Sequence, residues 1–159
     1  MSQSTIVTNA LTGITPSNLP YNLRQNLDAN YIKSVALPSS ASTVYTASLD
    51  LGDPVSGVPF STTEIVDAVI LAPALNATQL PNSATVTYQW QDSADNSTFA
   101  NIAALNSFAQ TGASSAGAAA VTNRVKLPQN TRRYIRISAT TANSPGDCSA
   151  ASTTAELVF

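Results

Sequence analysis

Catalytic chemistry in this chain would have to come from nine carboxylates, seven cations and one cysteine, because its 159 residues include no histidine. That absence removes Ser-His-Asp and Cys-His nucleophile systems, the usual zinc sites and the commonest general base. Two carboxylate pairs have a spacing that could hold calcium or work as an acid/base couple. Asp50 and Asp53 flank Gly52, and Asp92 and Asp95 share the polar run Asp92–Ser97. Both pairs lie in turn-forming sequence, where an Asp side chain bonds nearby backbone N–H groups, and the turn reading outweighs the catalytic one. Gly112 and Gly117 have no Lys-Ser/Thr after them, so they make no phosphate loop. Cys148 is alone, which excludes an intrachain disulfide and a cysteine metal cluster; in its polar loop it reads as incidental. No cofactor and no metal is expected.

The cations are grouped more suggestively. Val121–Leu127 and Arg133–Ala139 both alternate in polarity and are separated by a loop of hairpin length. Paired as a hairpin, they would turn Val125, Leu127, Ile135 and Ile137 to the core. Arg124, Lys126, Arg132, Tyr134 and Arg136 would then share the outer face as a basic stripe containing an aromatic ring. Arg133 falls out of phase and is expected to pair with an acid or cap a sheet edge. Such a stripe could bind nucleic acid by charge and stacking. The rest of the chain supplies no basic field, and the net charge is −2. A solvated strand face, or a face that docks on acidic protein surface, is therefore the better reading, with no nucleic-acid partner.

These residues need a scaffold, and the stretch Ala84–Phe99 defines it. Val86, Tyr88 and Trp90 alternate with Thr85, Thr87, Gln89 and Gln91, the period of a strand with one buried face. Trp90 is in phase with that core, although an exposed sugar-stacking Trp is the alternative. Further strands are expected at Thr43–Leu51 (Thr43, Tyr45, Ala47, Leu49 and Leu51 on one side) and at Glu64–Ala72, apolar on both faces. Others fall near Phe99–Ile102, near Ser107–Gln110, in the two segments of the supposed hairpin, and at Thr153–Phe159 with Leu157 and Phe159 on one face. Thr111–Ala120 reads as a flexible small-residue loop. About eight short strands with turn clusters between them predict an all-β, antiparallel β-sandwich, and the long early connections favour a jelly roll.

Residues 1–41 show no sustained period, and Pro16, Pro20 and Pro38 interrupt them. A helical turn is conceivable over Asn22–Ile32. The segment is either an N-terminal strand and loop lying on the domain or an arm ordered by a neighbouring subunit, and the sandwich proper is expected over 42–159.

Apolar residues make up 43% of the chain and charged residues only 10%, so a real core is expected beneath a weakly charged surface suited to an assembly. Residues 1–95 carry a net −5 and residues 96–159 a net +3. The start MSQSTIVTN has no signal-peptide pattern, and no apolar run approaches the roughly 20 residues of a membrane helix. A soluble protein of cytoplasmic origin with no membrane partner is expected.

The wording TVTYQWQDSADNSTFANIAAL, followed by RRYIRISAT, resembles small structural proteins of tailed bacteriophages, in particular the jelly-roll cement (decoration) family typified by a Bordetella phage. The resemblance covers about Ser42 to the C-terminus. It lies in the turn Gln91–Phe99, the small-residue loop Thr111–Ala120, the strand Arg132–Arg136 and the opening strand Tyr45–Gly52. It implies a non-enzymatic virion protein on the outer capsid surface, a homotrimer whose partner is the major capsid protein. A tail-tube or tail-tip module and a carbohydrate-binding sandwich are the rival readings.

Overall fold

Ten strands, all paired antiparallel, form two sheets in the computed structural model, which describes residues 31–51 and 67–158. They are β1 (Ile32–Ala36), β2 (Thr43–Tyr45), β3 (Leu49–Asp50), β4 (Asp67–Ala72), β5 (Thr85–Ser93), β6 (Ala100–Asn101), β7 (Phe108–Thr111), β8 (Val121–Lys126), β9 (Tyr134–Ala142) and β10 (Ser152–Val158). One sheet has the order β1-β10-β4-β8. The other is β2-β9-β5-β6, with β3 also on β9 and β7 also on β5.

The ten strands occupy eight positions. β2 and β3 are one strand lying along β9, and β6 and β7 follow each other along β5. Numbered by position, the sheets read 1-8-3-6 and 2-7-4-5, two interlocked four-stranded layers in which successive strands repeatedly change sheet. This is a jelly roll, the sandwich expected from the sequence.

β5 is the clearest case of sequence deciding structure. Val86, Tyr88 and Trp90 are buried while Thr85, Thr87, Gln89 and Gln91 are half-buried on the other face. β9 repeats the pattern with Ile135, Ile137 and Ala139 inward, and the two strands pair over their whole nine-residue length. From the opposite sheet, Ala68, Ile70 and Ala72 of β4 and Ala155 and Leu157 of β10 close the core. Each fully buried large aliphatic or aromatic side chain contributes roughly 1.5–3 kcal/mol. Tyr88 stacks on Phe108 at 4.9 Å, and its hydroxyl donates to Gln110 Oε1 at 2.8 Å. Burial raises the Tyr88 pKa well above its ordinary value.

Several expectations need correction. Val121–Lys126 and Tyr134–Ala142 do not form a hairpin: β8 pairs with β4 in one sheet and β9 with β5 in the other. The seven residues between them cross from sheet to sheet, and each strand finds a partner of its own length: six-residue β4 for β8 and nine-residue β5 for β9. The strand expected through Thr43–Leu51 has its phase reversed at the start. Tyr45 pairs with Ser138, but Leu49 pairs with Ile135, so one extra residue is inserted on the β2/β3 side. This bulge lets Val44, Thr46 and Leu49 all face inward and turns Tyr45 out, 45% exposed.

Of the segment expected to precede the sandwich, Ile32–Ala36 is an edge strand paired with β10, and Leu37 is buried in the core. Residues 1–30, most of the conceivable turn over Asn22–Ile32, Asp53, Glu64 and Phe159 lie outside the described residues. The loop Thr111–Ala120, expected to be flexible, is tied down instead. Leu75 and Ala118 exchange two backbone hydrogen bonds at 2.8 Å each, and Ala113 pairs with Gly117.

Candidate functional site

The five residues expected to form one basic stripe fall into three separate settings. Arg124 and Lys126 lie on the outer face of β8, the edge of the first sheet, where Arg124 reaches Asp67 at 3.3 Å. That pair is largely solvated and contributes little to stability. Arg132, Tyr134 and Arg136 belong to the other sheet or to the crossover leading into it. The stripe fails because its premise, the hairpin, fails.

Arg132 is structural. Asp92 continues the inward phase of Trp90, so its carboxylate arrives at the core side of the sheet near the end of β5. A carboxylate there is costly unless paired and hydrogen-bonded. Arg132 supplies both: Nε and Nη2 donate to Asp92 Oδ1 at 2.9 and 2.6 Å, and Nη2 also donates to the Asp92 carbonyl at 2.9 Å. Its backbone N–H donates to Oδ2 at 3.0 Å. The bonds to Asp92 hold the Arg132 pKa above its ordinary value. Asp92 is thus a buried strand residue, not the turn residue that its neighbours in sequence suggest.

Asp95 does occupy the turn. Its Oδ1 accepts from the backbone N–H groups of Ser97 and Thr98 at 3.0 and 2.9 Å and from the Ser93 hydroxyl at 2.8 Å. The Thr98 and Ser97 amides, with the Ser93 hydroxyl, hold its carboxyl well below the usual carboxylate range. Asp50 pairs with Arg133, whose Nε and Nη2 donate at 2.8 and 2.9 Å, as the out-of-phase position of Arg133 predicts. Among the described residues, no group of three or more Cys, Asp or Glu side chains could hold a metal ion.

Cys148 and Trp90 are core residues. Cys148 is fully buried, its thiol donating to the Gln79 carbonyl at 3.1 Å, so it is not the incidental loop residue expected. Desolvation, with the nearby Asp147 charge, pushes the thiol pKa up. Trp90 is 2% exposed, which removes the sugar-stacking alternative for that ring.

The second sheet carries a feature the sequence did not announce. On its outer face the Arg136 guanidinium lies between two aromatic rings, 4.0 Å from the Tyr45 centroid and 3.8 Å from that of Phe99. Such cation–π contacts fix the side chain. Arg136 Nε donates to Gln91 Oε1 at 3.0 Å, and burial draws its pKa below the ordinary arginine value. Next to it runs an open groove of about 450 Å³, floored by the outward residues of β2, β9 and β5. The polar half of the β5 alternation marks this floor in the sequence. Tyr45 was missed because the bulge reverses its phase.

The fold and this surface define a jelly-roll domain in which the Asp50, Asp92 and Asp95 carboxylates serve its own structure. The sequence model of the Bbp16 family matches residues 34–156, from within β1 to within β10, and the chain belongs to that family. No curated protein matches the chain. Among solved structures, the chain is similar to one from the cowpea mosaic virus top component, naturally occurring empty particles, at 10% identity and a TM-score of 0.40, covering 80% of each chain.

Proposed function

We propose that this protein is a non-enzymatic structural component of a virion: a cement protein that binds the outer surface of the icosahedral head and bridges major capsid subunits, acting as a homotrimer. The observation that carries the reading is membership of the Bbp16 family across the sandwich. It is joined by the cement-like wording at Gln91–Phe99, Thr111–Ala120 and Arg132–Arg136. The structure gives physical content to those motifs. The first two are a turn organised by Asp95 and a loop pinned to Leu75, and the third supplies the clamp on Asp92. All three are scaffold, as a structural role requires.

The mechanism is linkage. A ligand that binds only the expanded shell stabilises that shell in proportion to its differential affinity. Bridging several subunits multiplies modest individual affinities. The outer face of the first sheet, where Arg124 and Lys126 stand beside Asp67, offers charged contacts for a capsid subunit.

Purified full-length protein mixed with expanded and unexpanded shells of its own phage tests this by co-sedimentation and electron microscopy. Trimers decorating expanded shells are expected. A protein that stays monomeric in light scattering and ignores expanded shells overturns the reading, and a hexameric ring would point to the tail.

A further inference from the structure

We propose that the outer face of the second sheet is a binding groove for an acidic carbohydrate, with Arg136 receiving a uronic-acid carboxylate. The first observation is the lining. Apart from Tyr45, the groove presents only hydroxyl and amide side chains, among them Thr87, Gln89, Gln91, Asn101 and Ser138. Paired hydroxyls and amides can both donate and accept, which suits the vicinal hydroxyls of a sugar. A volume of about 450 Å³ lies within the range of small-ligand sites.

The second observation is that these groups are held in place. Gln91 is fixed between Arg136 and Asn101, to whose Oδ1 its Nε2 donates at 3.0 Å. Gln89 Nε2 donates to the carbonyls of Trp90 and Leu105 at 3.0 Å each, so its Oε1 is oriented by bonds that do not use it. Thr43 and Thr140 share a hydroxyl hydrogen bond of 2.8 Å. A preorganised polar floor lowers the cost of ordering on binding.

The third is the charge. Arg136 pairs with no carboxylate among the described residues, and its Nη1 and Nη2 make no hydrogen bond there, while Tyr45 and Phe99 hold its plane fixed. A guanidinium fork of fixed plane is the geometry that recognises a carboxylate. Tyr45, 45% exposed, offers ring surface at the groove wall for the apolar edge of a pyranose. A protein partner fits less well, because interface centres are apolar whereas this floor is made of uncharged polar groups.

The test titrates the full-length protein with oligogalacturonate, oligoglucuronate and oligomannuronate, each beside its neutral methyl ester and beside a hexaglutamate peptide, followed by calorimetry. Binding of at least one uronate is expected, weakened about tenfold or more (1.4 kcal/mol) in Arg136→Gln and Tyr45→Ala, with both variants shown by thermal melting to be folded at the assay temperature. Arg136→Lys, which keeps charge but loses the fork, should bind with intermediate affinity, and Arg124→Gln should bind like wild type. Silence toward all three uronates at about 10 mM, equal binding of the esters, or binding of the peptide alone each overturns the proposal. The outcome is independent of capsid binding, since the groove is complete within one chain.

Discussion

Arg132 closes on Asp92 through four hydrogen bonds, three from its side chain and one from its backbone, and so joins the crossover between sheets to the end of β5. The carboxylate is the less exposed partner, 10% against 40% for the arginine side chain. Removing Arg132 would therefore leave a largely buried, unpaired anion.

Arg132→Gln and Asp92→Asn are each expected to destabilise the fold by about 1.5–3 kcal/mol, toward the lower end because the arginine is partly solvated. Urea unfolding of both single variants and the double variant measures the coupling. The same cycle on Arg124 and Asp67, a largely solvated 3.3 Å pair, should give no more than about 1 kcal/mol. Equal coupling in the two cycles would contradict the assignment of Arg132 as a structural clamp.

Asp95 gives the fold a specific acid sensitivity. Its native pKa is depressed, so the native turn favours the ionised carboxyl. The associated stability is present above the ordinary Asp value of about 4 and is lost as pH falls below it toward the depressed native value. Stability measured at successive pH values under about 4 should fall less steeply in Asp95→Asn, which keeps an acceptor oxygen but cannot titrate. Identical slopes in variant and wild type would remove Asp95 from the account.

How legible this was in the sequence depended on whether local pattern or long-range pairing made the decision. β5 and β9 were plain, because their period-two alternation survives in the structure over Thr85–Asp92 and, apart from buried Ser138, along β9. The class of fold followed from them. The partner of β8 was not legible: antiparallel neighbours in sequence look like a hairpin, and nothing local says that Val125 will lie opposite Ala68 instead. The same kind of information decides Asp92, whose sequence surroundings say turn and whose phase with Trp90 says core. The Arg136 clamp was hidden twice over, by the bulge that turns Tyr45 outward and by the distance in sequence to Phe99.

Gly117 is expected to be intolerant of any side chain. Its φ of 71° is left-handed, and an added Cβ would collide with the Leu75 carbonyl oxygen. That oxygen is the acceptor that pins the loop to Leu75. Gly117→Ala should cost about 1–3 kcal/mol, combining backbone strain with a disturbed bridge. Ser115→Ala, at an exposed position of the same loop, should stay within about 0.5 kcal/mol. Thermal melting of the two variants side by side checks both values.

Trp90 carries the one buried side-chain polar atom with no hydrogen-bond partner among the described residues, its indole Nε1. An unmet buried donor costs about 1–3 kcal/mol, which works against the large apolar area of the ring. The two effects separate by substitution. Trp90→Ala removes ring and donor together and leaves a cavity between the sheets, at an expected cost of about 3–5 kcal/mol. Trp90→Phe keeps most of the apolar contact and removes the unmet donor, so its cost should be much smaller, about 1 kcal/mol. If Trp90→Phe proves as damaging as Trp90→Ala, the indole N–H has a partner that matters to the fold. Tryptophan fluorescence gives an independent reading: a dry indole emits at short wavelength, and the signal should not move when a sugar occupies the outer face, because the whole thickness of the sheet lies between.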